Sequence, residues 1–256
     1  MASGAAAMSA PETTGQLSAE GRQLFTEAAQ MLGVDIAPHL SAFSTFQALL
    51  VRAGRTTNLT SLLGERDIVL KHFVDSLSCL RSGWFGGPLN VLDLGTGAGF
   101  PGLPLAIVAP DLNFDLLDSM RRKIEFVDSV IRALDLPNAR GVVGRAEWLG
   151  RQPDARAGYD RVVTRAVSAL PVLAEFSLPL LKEGGMLIAQ KGPIGEAELE
   201  AGHRALEVLG GELESVQALT LPVLNDPRTL VCIRKTGPTP ERYPRREGVP
   251  AKSPLF

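Results

Sequence analysis

The chain has 256 residues, 45% of them apolar, and a formal net charge of −2 at neutral pH. That length suits one large domain, or one domain with an extension, with enough apolar material for a full core. The near-neutral balance excludes a polycation, so any nucleic-acid surface must be a local patch.

In chain order, residues 1–16 read as a disordered leader: Met1 to Ala10 is rich in small residues but lacks the basic segment and apolar stretch of a secretory signal. No run is long and apolar enough to span a membrane, and a cytoplasmic location is expected. Residues 17–88 form a helical extension packed on the core. Leu24, Phe25, Ala28, Met31 and Leu32 recur at helical spacing, as do Leu40, Phe43, Phe46, Leu49 and Leu50. A third helix is predicted over Glu65 to Leu80, with Ile68, Val69, His72, Phe73 and Leu77 on one face, before Gly86-Gly87-Pro88 punctuates the chain. Cys79 and Cys232 lack metal or redox spacing and read as buried free thiols. His39, His72 and His203 are too dispersed for a zinc cluster.

Residues 89–235 alternate strand and helix. Strands are predicted at 90–94, 113–117, 139–143, 161–164, 186–190, 214–221 and 229–234, and helices at 102–109, 121–134, 170–181 and 195–209. This implies an α/β fold with a mostly parallel seven-stranded sheet, helices on both faces, and one antiparallel strand from a closing hairpin. Residues 236–256 carry five prolines, and Arg242, Arg245, Arg246 and Lys252 outweigh Glu241 and Glu247. This basic tail is expected to be extended, without helix, either solvated or lying on RNA phosphates.

The run Val91 to Gly102 is a buried strand that breaks into a glycine-rich turn and restarts as a helix. Such a turn lets a nucleotide-like cofactor approach the backbone. Gly97, Gly99 and Gly102 fit a dinucleotide pattern, with Asp118 where a ribose-binding acid is expected. Asp93 favours a different ligand, S-adenosyl-L-methionine: a carboxylate repels a pyrophosphate but attracts a cationic amino-acid end, directly or through water. Pro101 and Pro104 are tolerated in a first helical turn. The residues following the strands are then the site candidates: Gly95, Thr96, Gly97 and Phe100; Asp118, Ser119 and Met120; Ala146 and Glu147, suited to reading an adenine edge; Arg165; and Lys191 in a polar turn facing the acceptor.

Several segments together resemble a known family. Asn58-Leu59-Thr60-Ser61, Lys71 to Leu77, Asp93 to Gly102, Leu117-Asp118-Ser119, Arg165-Ala166, Lys191-Gly192 and Tyr243 to Pro250 look like the bacterial GidB/RsmG family. The resemblance runs from about residue 17 to the C-terminus. It implies a Rossmann-like class I S-adenosylmethionine-dependent methyltransferase fold. It also implies transfer of a methyl group to the N7 of one guanine in small-subunit (16S-type) ribosomal RNA, with S-adenosyl-L-homocysteine as product. The donor contacts it implies are Gly95, Phe100, Asp118 to Met120, Ala146, Glu147 and Arg165, with Phe100 carried over by shape alone. N7 has a free lone pair and loses no proton, so neither a general base nor a metal is required. The catalytic residue is unknown, with Arg165 and Lys191 as candidates near the acceptor. Arg52, Arg55, Lys71, His72, Arg121, Arg122, Lys123, Lys191, Arg245 and Arg246 are the candidate phosphate contacts. The expected partner is small-subunit ribosomal RNA or the small-subunit particle, met by a monomer.

Three other readings compete. A methyltransferase for a small molecule leaves the basic tail without a purpose. A non-catalytic RNA-binding factor has no need of an open glycine turn. A nicotinamide dehydrogenase lacks a proton relay, because all three histidines fall in helical segments.

Overall fold

A computed structural model describes residues 16–55, 59–165 and 168–256. The leader up to residue 15, and Asn58 and Ala166 of the motifs above, lie outside the described residues.

Seven strands form one sheet: β1 (Asn90–Leu94), β2 (Asn113–Asp118), β3 (Ala139–Val143), β4 (Tyr159–Arg165), β5 (Leu181–Lys191), β6 (Gly211–Thr220) and β7 (Pro227–Lys235). Their order is β3-β2-β1-β4-β5-β7-β6. The strands β1 to β5 pair in parallel, while β7 runs antiparallel to both of its neighbours. This is the expected class I methyltransferase arrangement, with one antiparallel strand inserted by a hairpin. Burial follows position. Val91 to Leu94 and Thr229 to Ile233 are buried, as interior strands require, whereas β6 alternates buried or half-buried with exposed residues at the sheet edge.

The helix Arg121–Leu134 has the predicted bounds, and Gly102–Val108 and Glu196–Leu209 differ from prediction by one residue. The helix predicted over 170–181 stops at Ser177. Pro179 follows, with no N–H to continue it, and β5 begins at Leu181 rather than Met186. The tail also departs from expectation. It folds back on the core and contains one helical turn, Val249–Lys252, with Pro250 in its first turn, where the missing N–H has no helical partner to lose.

The helices Ala19–Met31 and Leu40–Gly54 precede a helical run over 65–82 whose winding changes three times. Its middle, Ile68–Val74, is π-helical, so the N–H of Asp75 reaches the Leu70 carbonyl five residues back, and it ends in a 3₁₀ turn, Ser78–Ser82. Glu65 ties this run to the first helix, accepting from the Ser18 amide at 2.8 Å and the Ser18 hydroxyl at 2.6 Å. Phe25, Phe43, Phe46 and Phe73, all fully buried, pack ring on ring at 4.8–5.6 Å. Phe100, from the turn after β1, stacks on Phe46 at 5.3 Å, so the helices share a core with the sheet. Cys79 and Cys232 are buried free thiols in the same apolar cluster beneath the sheet.

Phe73 meets four aromatic rings from three segments of chain. Phe73→Ala is expected to cost about 3–5 kcal/mol in urea-induced unfolding; a loss under 1 kcal/mol would show that the helices contribute little to the common core.

Candidate functional site

The chain turns sharply after β1. Gly95, Gly97 and Gly99 all adopt positive φ (79°, 60° and 95°), which side-chain-bearing residues rarely do. Asp93 holds this turn from below. Its Oδ2 accepts the Thr96 hydroxyl at 2.6 Å and the Gly102 amide at 2.7 Å. Gly102 itself has no room for a side chain, because a Cβ there would strike Asp93 and Leu116. Asp93 is wholly buried, its Oδ1 has no partner among the described residues, and burial pushes its pKa up to about 7. It is not among the residues lining the cavity described next. One oxygen of the Asp93 carboxylate is thus used inside the turn.

The cavity lies over the C-terminal ends of β1, β2 and β3, beside the point where strand order reverses, as expected for ligands of open α/β sheets. It encloses about 360 Å³ and is lined by Gly95, Asp118, Ser119, Met120, Ala146 and Glu147, six residues chosen from sequence. Asp118 ends β2. Its Oδ1 accepts from the Met120 amide at 2.9 Å, and its Oδ2 accepts from the Gly97 amide at 3.1 Å and from Lys123 at 3.2 Å. The turn and the carboxylate thus fix each other. Glu147, nearly buried, accepts the Gly248 amide at 2.9 Å. The carboxylates of Asp118 and Glu147, with the open glycine backbone, fit a ligand with hydroxyls and an overall positive charge. A second hollow of about 400 Å³ lies at the opposite, N-terminal ends of β1 to β4, around Asn90, Asn113 and Asp115, away from the glycine turn.

Five other residues chosen from sequence lie outside the cavity lining. Asp93 and Thr96 brace the turn from inside, and Gly97 donates to Asp118. Phe100 is buried, stacked between Phe46 and His72, with the His72 ring at 4.6 Å. Arg165 lies 5.2 Å above the Phe100 ring and binds Asp75 at 3.2 Å and the Lys71 carbonyl at 3.1 Å. Phe176, Gly248 and Ala251 do line the cavity, although sequence reading passed over them. Gly248 was signalled only by the motif Tyr243 to Pro250, and Ala251 follows directly after it.

A second polar cluster lies at the ends of β4 and β5. Asp75 is nearly buried between Arg165 and Arg228, at 3.2 and 3.1 Å. Gln190 donates to Asp75 Oδ1 at 2.9 Å and to Ser78 at 2.8 Å, so it is a buried link rather than part of an open polar turn. Lys191 is held by Glu198 and the Ser168 carbonyl, each at 2.8 Å. Both catalytic candidates, Arg165 and Lys191, are thus paired cations.

The phosphate candidates divide in the same way. Arg52, Arg55, Arg121, Arg122 and Arg246 are exposed, without an ion pair among the described residues. Lys71 pairs with Asp67, and Lys123 with Asp118. His72 is buried, and its pKa is lowered to about 4 by burial and by the Arg165 charge, so it is a neutral ring rather than a phosphate contact. Arg245 turns inward to a buried Glu175 at 2.7 Å, again not toward phosphate. No group of three or more His, Cys, Asp or Glu side chains that could hold a metal ion occurs among the described residues.

Residues 39–227 match the GidB family model, described as rRNA small subunit methyltransferase G. A ribosomal RNA small subunit methyltransferase G of Deinococcus deserti is 56% identical over 240 residues, covering 94% of this chain and 98% of the relative. Its namesake in Deinococcus radiodurans is 54% identical, covering 94% and 95%. One solved structure, described as the conversion of a disulfide bond into a thioacetal group during echinomycin biosynthesis, is 18% identical with a TM-score of 0.50. It covers 63% of this chain and 81% of its own, a likeness of fold.

The raised pKa of Asp93 sets a pH dependence. The folded chain keeps a proton that the unfolded chain releases near pH 4, so its stabilising effect is full below about pH 4 and lost as pH rises through about 7. Asp93→Asn keeps an acceptor for Thr96 and Gly102 but cannot titrate. In urea unfolding between about pH 4.5 and 8, wild type should lose a few kcal/mol of stability relative to Asp93→Asn as pH rises. A constant gap would show that Asp93 is ionised throughout.

Proposed function

The chain belongs to the GidB family, and from that premise we propose that it transfers the methyl group of S-adenosyl-L-methionine to the N7 of one guanine in small-subunit ribosomal RNA. The observation that carries this reading is the cavity of about 360 Å³ joining the glycine turn to Asp118 and Glu147. Bound there, the donor supplies an electrophilic methyl group on a sulfonium. Asp118, braced by the Gly97 amide and the Met120 amide, is suited to accept ribose hydroxyls, and the end at Ala146 and Glu147 to face the adenine. The backbone of Gly95 admits the donor without a side chain in the way.

The guanine N7 attacks with a lone pair and loses no proton, so the protein needs no general base. Its task is alignment of N7, methyl carbon and sulfur, which can lower a barrier by up to roughly 7–11 kcal/mol. Arg165 and Lys191 end β4 and β5 as paired cations, and we assign them to holding the acceptor side rather than to moving protons. The target base must be reached in a loop or out of its stack. The exposed Arg121 and Arg122 begin a helix whose first turn has no acid, an electrostatically unfavourable place for two cations, and we assign them to phosphate contact. No described helix is long and apolar enough to cross a membrane. We read the enzyme as a cytoplasmic monomer acting on ribosomal RNA or the small-subunit particle, with S-adenosyl-L-homocysteine as product and no metal in the reaction.

Labelled S-adenosylmethionine, incubated with small-subunit RNA both naked and in particles from cells lacking this protein, should yield 7-methylguanine at one site. Donor binding without transfer to either form would point to another acceptor, and absence of donor binding would overturn the reading. Asp118→Ala is expected to raise the donor Kd about 10- to 100-fold, the loss of charged hydrogen bonds of about 1.5–3 kcal/mol. The double variant Arg121→Ala, Arg122→Ala should weaken RNA binding and shallow its salt dependence by about 0.7–0.9 per lost phosphate contact. An unchanged slope would remove that helix from the RNA surface.

A further inference from the structure

The segment after β7 is anchored at successive points. Lys235 and Thr239 are in contact, and the Thr239 hydroxyl donates to the Leu209 carbonyl at 2.7 Å. Arg156 donates to the carbonyls of Thr239 and Tyr243, each at 2.8 Å, and Arg151 donates to that of Pro244 at 2.7 Å. Tyr243 is buried in the core cluster. Glu175 is completely buried in the helix Leu170–Ser177. It receives the Arg245 amide at 2.8 Å and the Arg245 guanidinium in a fork, Nε to Oε1 at 2.9 Å and a terminal nitrogen to Oε2 at 2.7 Å. A carboxylate so deep is tolerated only when its partner is fixed, and a forked arginine is the best such partner.

Beyond this anchor the chain passes the ligand cavity. Glu247 meets Arg145 at 2.5 Å, Gly248 donates its amide to Glu147, and Gly248 and Ala251 line the cavity with Asp118 and Glu147. Gly248 sits at φ +77°, and the helical turn Val249–Lys252 that follows it brings Ala251 to the cavity. Arg145 and Glu147 follow β3, so the tail contacts the end suited to the adenine.

We propose that residues 247–251 form a wall of the methyl-donor pocket, and that Arg245 is the positioning residue that sets this wall through Glu175. The inference rests on the donor-site reading above and extends it to a segment beyond the residues matched by the family model, which end at 227. It also gives Arg245 a role other than contact with RNA.

The test is titration of the full-length chain with S-adenosylhomocysteine in the absence of RNA. Ala251 is exposed on the cavity rim, where a large side chain can be carried without disturbing the core. Ala251→Trp should raise the Kd at least 10-fold with the unfolding midpoint unchanged. Arg245→Ala should weaken binding similarly, and Arg245→Lys, which keeps the charge but not the fork, should restore part of it. RNA affinity measured without donor should be unaffected by Ala251→Trp. Wild-type affinity in both Ala251→Trp and Arg245→Ala would overturn the proposal, as would an Arg245→Ala variant that loses RNA binding alone. Should Arg245→Ala fail to fold, Ala251→Trp decides by itself. A wild-type chain that binds no S-adenosylhomocysteine would instead overturn the donor reading, and the wall with it.

Discussion

One carboxylate, sealed from water, organises the half of the molecule that carries the cavity over β1 to β3. Asp93 joins the end of β1, the Thr96 hydroxyl and the first amide of the next helix through a single oxygen. With those bonds in place, three glycines at positive φ can present bare backbone upward while Val91 to Leu94 below stay buried. A buried carboxylate is costly unless it is hydrogen-bonded, and here its partners are the two groups whose placement shapes the turn. Asp118 repeats the device at the end of β2, on the accessible side, where it accepts from the same turn at Gly97.

The turn is also bound to what surrounds it. Phe100 leaves the glycine segment and enters the aromatic cluster of the N-terminal helices, with His72 against one side and Arg165 within 5.2 Å of the ring. Arg165 in turn meets Asp75, which binds Arg228 and Gln190 from the far half of the sheet. Contacts therefore run without a gap from the ligand cavity to the ends of β4 and β5. In methyl transfer, alignment of donor and acceptor matters more than proton movement, and under the proposed reading such continuity would hold the two sides in register.

Much of the fold was legible because it rests on local rules. The apolar residues Val91, Leu92 and Leu94 marked β1 and Phe114, Leu116 and Leu117 marked β2, the glycines marked the turn, and the missing helix before Thr229 marked a hairpin. Six of the eleven residues chosen for the donor line the cavity, because sheet topology places strand ends there whatever their side chains do. The direction of a side chain was less visible. Asp93 was chosen as a ligand-facing acid, and its spacing did not show that Oδ2 would also bond Thr96 and Gly102 within the turn. Sequence also could not show that Glu175, in a helix buried on every side, would need a cation from 70 residues further on, so Arg245 was read as surface charge. Composition alone made the tail look extended, and that pairing is what folds it back.

The strand order has a consequence for the chain as it is synthesised. In sequence β6 precedes β7, but in space β7 lies between β5 and β6. When Thr220 leaves the ribosome, β6 has no ladder to join, and β5 carries an open edge of unpaired amides and carbonyls. Both edges stay bare until Pro227–Lys235 has been made and slides between them. A nascent sheet in that state is vulnerable to pairing with another chain, and its interval of exposure lasts from the emergence of β5 to that of β7.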